Sequence, residues 1–119
     1  FGLWYMDAMD NVDKYLGKIV EFKAQVYKGR GRELPFHSFV PGRFAMTCCA
    51  DDIAFCGFVC RCSKENYAFI DSVDERDWVM VRARVEKEKM KLYQGVGPVL
   101  HAETLGHSQK AEEDIVYFT

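Results

Sequence analysis

A chain of 119 residues is one domain of ordinary size, long enough to bury a core without disulfide or metal staples. Its 49% hydrophobic and 29% charged content excludes a disordered segment, and no apolar run approaches the roughly 18–20 residues that a membrane-crossing helix needs. The net charge of -2 counts against a nucleic-acid binder, which draws most of its affinity from a basic surface.

The opening "FGLWYM" is apolar and abrupt, and it lacks an initiator methionine, so the chain reads as part of a longer protein. Residues 1–16 form an N-terminal helical segment. Trp4, Ala8, Met9, Val12, Tyr15 and Leu16 fall at helical spacing, Gly17 is placed to end the helix, and Asp10 or Asn11 could start a second short piece. The period then changes to two. Val20, Phe22, Ala24 and Val26 alternate with Glu21, Lys23 and Gln25, which predicts a half-buried strand.

"RGRELPFHS" has loop composition, and its Arg30 and Arg32, with Lys28 and Arg43, could form a local basic patch; a solvated loop accounts for the same charges. A second strand is expected after Pro41-Gly42, with Phe44, Met46 and Cys48 on one face and Ala45, Thr47 and Cys49 on the other. "ADD" supplies a turn, and "IAFCGFVCRC" a third strand that makes a hairpin with the second; Gly57 marks a bulge or bend in it. Tyr67, Ile70 and Val73 suit a short helix or an irregular connection. Val79, Val81, Ala83 and Val85 then alternate in a fourth strand, and "PVLHAETLG" gives a fifth. Residues 107–119 form a polar tail closing in "VYF", which could dock on the body.

The expected fold is mainly β: a single OB-fold-like, five-stranded Greek-key barrel over residues 1–119. It has an N-terminal helix and a short helix or loop between strands 3 and 4. An open α+β sheet is the alternative.

The five cysteines, at 48, 49, 56, 60 and 62, are an odd set without the spacing of a zinc ribbon, so free thiols, a partial metal site or one disulfide plus spare thiols stay open. Neighbouring strand residues face opposite ways, so Cys48 and Cys49 can share an ion only where the chain turns, and "CCADD" is composed to turn. Zinc could then be held by Cys48, Cys49 and Asp52 with His101 or His37. Otherwise Cys48 is a small core hydrophobe and Cys49 a half-buried thiol, and a vicinal disulfide is a third arrangement. Cys56, Cys60 and Cys62 lie on one strand face and suit core packing. Phe44, Phe55, Phe58 and Tyr27 could stack bases on a strand surface, although such aromatics more commonly fill a core. No nucleophile has a base at a recognisable spacing, and "GRGR" lacks the Lys-Ser/Thr ending of a phosphate loop, so no catalytic residues are assigned.

The stretches "NVDKYLGKIVEFKAQVYKG", "PGRFAMTCCADDIAFCGFVC", "DWVMVRARVE", "GPVLHAETL" and "VYF" together resemble the C-terminal soluble domain of the uncharacterised YcgQ-type bacterial membrane proteins. The most specific part is Arg43-Phe44 followed by Cys48-Cys49 and Asp52. Val12 stands where the family tends to have proline and Ala24 where it has glycine; Cys56, Cys60 and Cys62 match no family motif. The resemblance implies a non-catalytic accessory or binding domain, membrane-anchored through a preceding part of the protein and working with a permease encoded beside it. It also implies Arg43 and Phe44 as ligand-binding residues. A metal-binding module and a single-stranded nucleic-acid module are the alternatives.

Overall fold

The computed structural model describes residues 2–29, 37–46, 53–90, 93–109 and 116–118. Two helices, α1 (Gly2–Asp10) and α2 (Tyr67–Ser72), accompany seven strands: β1 (Ile19–Tyr27), β2 (Ser38–Met46), β3 (Ile53–Gly57), β4 (Cys60–Arg61), β5 (Trp78–Met90), β6 (Gly95–His107) and β7 (Val116–Phe118). The protein is mainly β, as expected. Among the described residues the strand order is β3-β2-β4-β6-β5-β1-β7, and an additional pairing of β2 with β1 closes five of these strands, β1-β2-β4-β6-β5, into a ring. Every neighbouring pair in that ring is antiparallel except β4 with β6, which is parallel.

The count rises from the expected five to seven for two reasons. The "VYF" tail docks as β7, antiparallel along Val20–Phe22 of β1. The expected third strand is broken in two. Its register on β2 is nevertheless continuous: Met46 faces Ile53, Gly42 faces Gly57, Phe39 faces Cys60 and Ser38 faces Arg61. Only Phe58 and Val59 drop out, and by that register they lie opposite Pro41 and Val40. Pro41 has no N–H to offer Phe58. Val59 turns its polar groups the other way: its N–H donates to the Tyr93 hydroxyl at 2.8 Å, and its carbonyl accepts from the Leu100 N–H at 2.8 Å. Tyr93 in turn donates to the Pro98 carbonyl at 2.6 Å, so one hydroxyl ties the broken strand to β6. Burial pushes the Tyr93 phenol up to about 12, so it stays a donor at any physiological pH.

Strand β2 begins at Ser38, earlier than expected, and runs straight through Pro41-Gly42. Those two residues serve the crossing instead of starting the strand. Gly42 pairs with Gln25 on one edge and Gly57 on the other, so β2 joins β1 to the interrupted β3–β4 strand at this point. The approach is too close for side chains. A Cβ at Gly42 would lie 2.3 Å from the Cys56 carbonyl oxygen, and one at Gly57 would lie 2.7 Å from that of Pro41.

Inside the ring, the alternation read from the sequence holds: Val20, Phe22, Ala24 and Val26 of β1 and Val79, Val81, Ala83 and Val85 of β5 are all buried. Phe39, Phe58, Cys56, Cys60 and Leu100 complete this core. Helix α1 lies against it through Trp4, whose ring centroid is 5.3 Å from that of Phe22 and 5.4 Å from that of Phe58. The helix is shorter than expected and is followed by a 3-10 turn at Val12–Lys14, so Met9 and Leu16 are exposed instead of sharing the buried face of Trp4 and Ala8. Asp7 fastens the break, accepting hydrogen bonds from the Tyr15 hydroxyl (2.5 Å), the Lys14 ammonium (2.9 Å) and the Asn11 amide (3.1 Å). Gly17, at φ 77°, then turns the chain into β1. A second, smaller cluster of Val40, Val59, Met90 and Val99, with Tyr27, Phe55 and Tyr93 against it, sits apart from the main core. No helix of the described residues is long and apolar enough to cross a membrane.

Two outcomes follow for folding. Gly57→Ala should destabilise by about 2–3 kcal/mol in urea melts, whereas Gly106→Ala, with open space around its Cβ, should stay within about 0.5 kcal/mol of the parent; equal effects would refute the close crossing. The Tyr15, Lys14 and Asn11 hydrogen bonds hold the Asp7 carboxyl at about 2, below its ordinary value of 3.8. Its contribution, trimmed by solvent screening, is therefore complete above about pH 4 and fades as the pH falls towards 2. Asp7→Asn should flatten the stability profile in that acid window, and an unchanged profile would count against the Asp7 linkage.

Candidate functional site

Strand alternation decides where the aromatics go. Phe58 is 1% exposed and fills the core, as sequence reasoning favoured, but Phe44 is 45% exposed. Phe44 and Phe55 face each other across the β2–β3 hairpin, and their rings meet edge to face at 5.2 Å. Tyr27 of β1 extends the row, with its ring 6.0 Å from that of Phe55. The buried part of this row rests on the smaller cluster, so the surface is apolar at one end and open to water at the other.

One guanidinium covers the open end. Arg76, in the turn between α2 and β5, lies over the Phe44 ring at 4.6 Å. Its backbone is in the left-handed region, φ 71°, which few residues other than glycine adopt. Two bonds to β1 hold it there: the Arg76 N–H donates to the Val26 carbonyl at 2.8 Å, and the Gln25 side-chain amide donates to the Arg76 carbonyl at 3.3 Å. Arg43 precedes Phe44 and points to the opposite side of β2. Its Nε donates to the Lys23 carbonyl at 2.8 Å, and its guanidinium lies 5.7 Å from the Trp78 ring. Arg43 and Phe44 therefore sit side by side but engage different neighbours. Arg76, which completes the face, was not singled out from the sequence: 32 positions separate it from Phe44, and only the turn geometry brings the two together.

A second polar cluster lies across β4, β5 and β6. Glu88 accepts from Arg61 Nε at 3.0 and 3.1 Å and lies 3.0 Å from His101 Nε2. Partial burial would raise the Glu88 carboxyl, but the hydrogen bonds from Arg61 and His101 outweigh it and leave the group below its ordinary value. This is a half-exposed ion-pair network, and it supplies the neighbour that His101 uses.

Of the four residues proposed for a metal, Cys48, Cys49 and Asp52 lie outside the described residues, and so do Arg30 and Arg32. His101 is placed, opposite Arg61, which faces Ser38 at the start of β2. Among the described residues no group of three or more His, Cys, Asp or Glu side chains could hold a metal ion. His37, the other candidate, stacks on Tyr67 with ring centroids 3.6 Å apart. Cys56 and Cys60 are buried and Cys62 is half-buried, and none of the three is in a disulfide, in line with the expected core packing.

The family model for the DUF1980 C-terminal domain matches residues 1–118. The chain belongs to this family. The match spans the helix, the ring and the docked tail alike. It bears out the resemblance carried by Arg43-Phe44 and the following cysteine pair. No curated protein matches the chain.

Burial pushes the Cys62 thiol up to about 11 and also raises that of Cys60 well above its ordinary value. Both should therefore be poor nucleophiles at neutral pH. In native protein treated with iodoacetamide at pH 7, peptide mass analysis should find Cys60 and Cys62 alkylated at least ~10-fold more slowly than in urea. Equal rates would show that these thiols are not sealed in the core.

Proposed function

We propose that this DUF1980 C-terminal domain is a non-catalytic binding module whose outer β2–β3 surface receives a partner protein. For a membrane-anchored bacterial protein of this kind, the partner implied by the family resemblance is the neighbouring permease. Two features of the topology support an OB-like reading of the ring. Counting β3–β4 as one interrupted strand and setting the docked β7 aside leaves five strands, with α2 between the third and fourth, and the third and fifth meet in parallel. In such folds the surface of strands two and three is a common ligand platform. Analogy of fold alone does not assign a ligand.

The observation that carries the proposal is Phe44. A phenyl ring 45% exposed on a regular strand costs solvation without helping the core. Here it continues a row of rings and is capped by a guanidinium held at a strained backbone position. Aromatic and arginine side chains in that arrangement supply large contact area at little entropic cost, which is the usual composition of a binding hot spot.

The test is copurification of the detergent-solubilised full-length protein with its co-expressed permease. Phe44→Ala should reduce recovered permease at least ~10-fold, equivalent to ~1.4 kcal/mol, while circular dichroism of the domain stays unchanged. Val96→Ser, on an exposed position of β6, should leave recovery intact. Undiminished recovery with Phe44→Ala would overturn the assignment of this face.

A further inference from the structure

Arg76 sits among acidic neighbours in the sequence "DERD", yet none of the carboxylates that flank it is turned to its guanidinium. The Glu75 carboxylate accepts from the backbone N–H of Lys28 at 2.5 Å. The Asp77 carboxylate accepts from the N–H of Asp74 at 2.9 Å. Among the described residues the Arg76 guanidinium has the face of Phe44 as its neighbour and enters no ion pair, whereas Arg61, Arg82 and Arg84 each hold a carboxylate. The position is also strained. A left-handed backbone is unfavourable at a residue other than glycine, and here it accompanies a side chain that lies over the phenyl ring at the open end of the aromatic row.

A guanidinium over a ring face still has N–H donors to offer, and its fork matches the two oxygens of a carboxylate. Beside it, Phe44 and Phe55 offer an apolar surface for the adjoining side chain. The geometry points to an acidic peptide segment as the ligand of this face: an aspartate or glutamate of the partner on Arg76, and an aromatic or aliphatic side chain next to it on Phe44 and Phe55. This deepens the binding-module reading and rests on it. A protein ligand is favoured over a nucleic acid because the chain's net charge is -2, with no basic excess to draw in a polyphosphate.

The test is a titration of the isotope-labelled 119-residue chain, followed by nuclear magnetic resonance at the Arg76 side chain and the Phe44 amide. The probes are a blocked peptide of alternating aspartate and phenylalanine, its asparagine isostere, and a short thymidine oligonucleotide. The aspartate peptide should bind at least ~10-fold more tightly than the isostere. Arg76→Asn, which keeps a residue tolerant of the left-handed backbone, should erase that difference. Arg76→Lys, which keeps the charge without the fork, should retain part of it. Phe44→Ala should weaken both peptides. The inference is overturned if the two peptides bind equally, if neither gives a saturable shift, if the preference survives in Arg76→Asn, or if the oligonucleotide binds more tightly than the aspartate peptide. Equal peptide binding that still depends on Phe44 would remove the acidic specificity and leave the binding face standing. Loss of permease recovery without any peptide preference would separate the two readings in the same way.

Discussion

The crossing of β2 over Gly42 and Gly57 is the constraint on which the rest of the architecture depends. One nine-residue strand must serve β1 on one edge and the interrupted β3–β4 strand on the other. Backbones can come that close only where neither residue carries a Cβ. Pro41, next to the crossing, withholds an N–H from the facing strand, and Val59 bonds to Tyr93 and Leu100 on the other side. The ring is closed through β4, which pairs with β2 on one edge and with β6 on the other.

The same crossing sets the surface. Beyond Gly42, β2 no longer pairs with β1, and its outward residues lose their cover. Phe44 is the first of them, and it lies where the turn carrying Arg76 can fold back over it. The half-exposed network of Arg61, Glu88 and His101 sits at the other end of β2 and has its charges matched internally. Of these two polar clusters, the one at Phe44 alone joins an open apolar surface to a guanidinium without a carboxylate. That contrast, more than the exposure of any single ring, directs the functional reading towards β2 and β3.

How far the sequence made this legible depends on the range of the interactions involved. Strands β1 and β5 were clear because their burial has period two, and Val20 to Val26 and Val79 to Val85 point inwards as that period requires. The divided N-terminal helix was open in the sequence, but the exposure of Met9 and Leu16 was not, since it follows from Asp7 gathering Tyr15, Lys14 and Asn11 across the break. The start of β2 was misread because Pro41-Gly42 has turn composition, and only its partners on both edges show why those residues suit a strand. Of the candidate site, Phe44 is singled out by its place near the cysteine pair, whereas its neighbour Arg43 turns to the other side of β2. Arg76 was invisible, because a left-handed arginine looks like any other charged turn residue until β1 fixes its backbone.

Ring closure is the claim that everything else needs, and the parallel joint between β4 and β6 is its narrowest part. Amide hydrogen exchange at Leu100 reports on it directly, because that N–H donates to the Val59 carbonyl at 2.8 Å. The account predicts that Leu100 exchanges only through global opening, as slowly as Val81 in the centre of β5. Fast exchange at Leu100 with Val81 still protected would mean an open sheet, and the β2–β3 surface would lose the frame that holds Phe44 beneath Arg76.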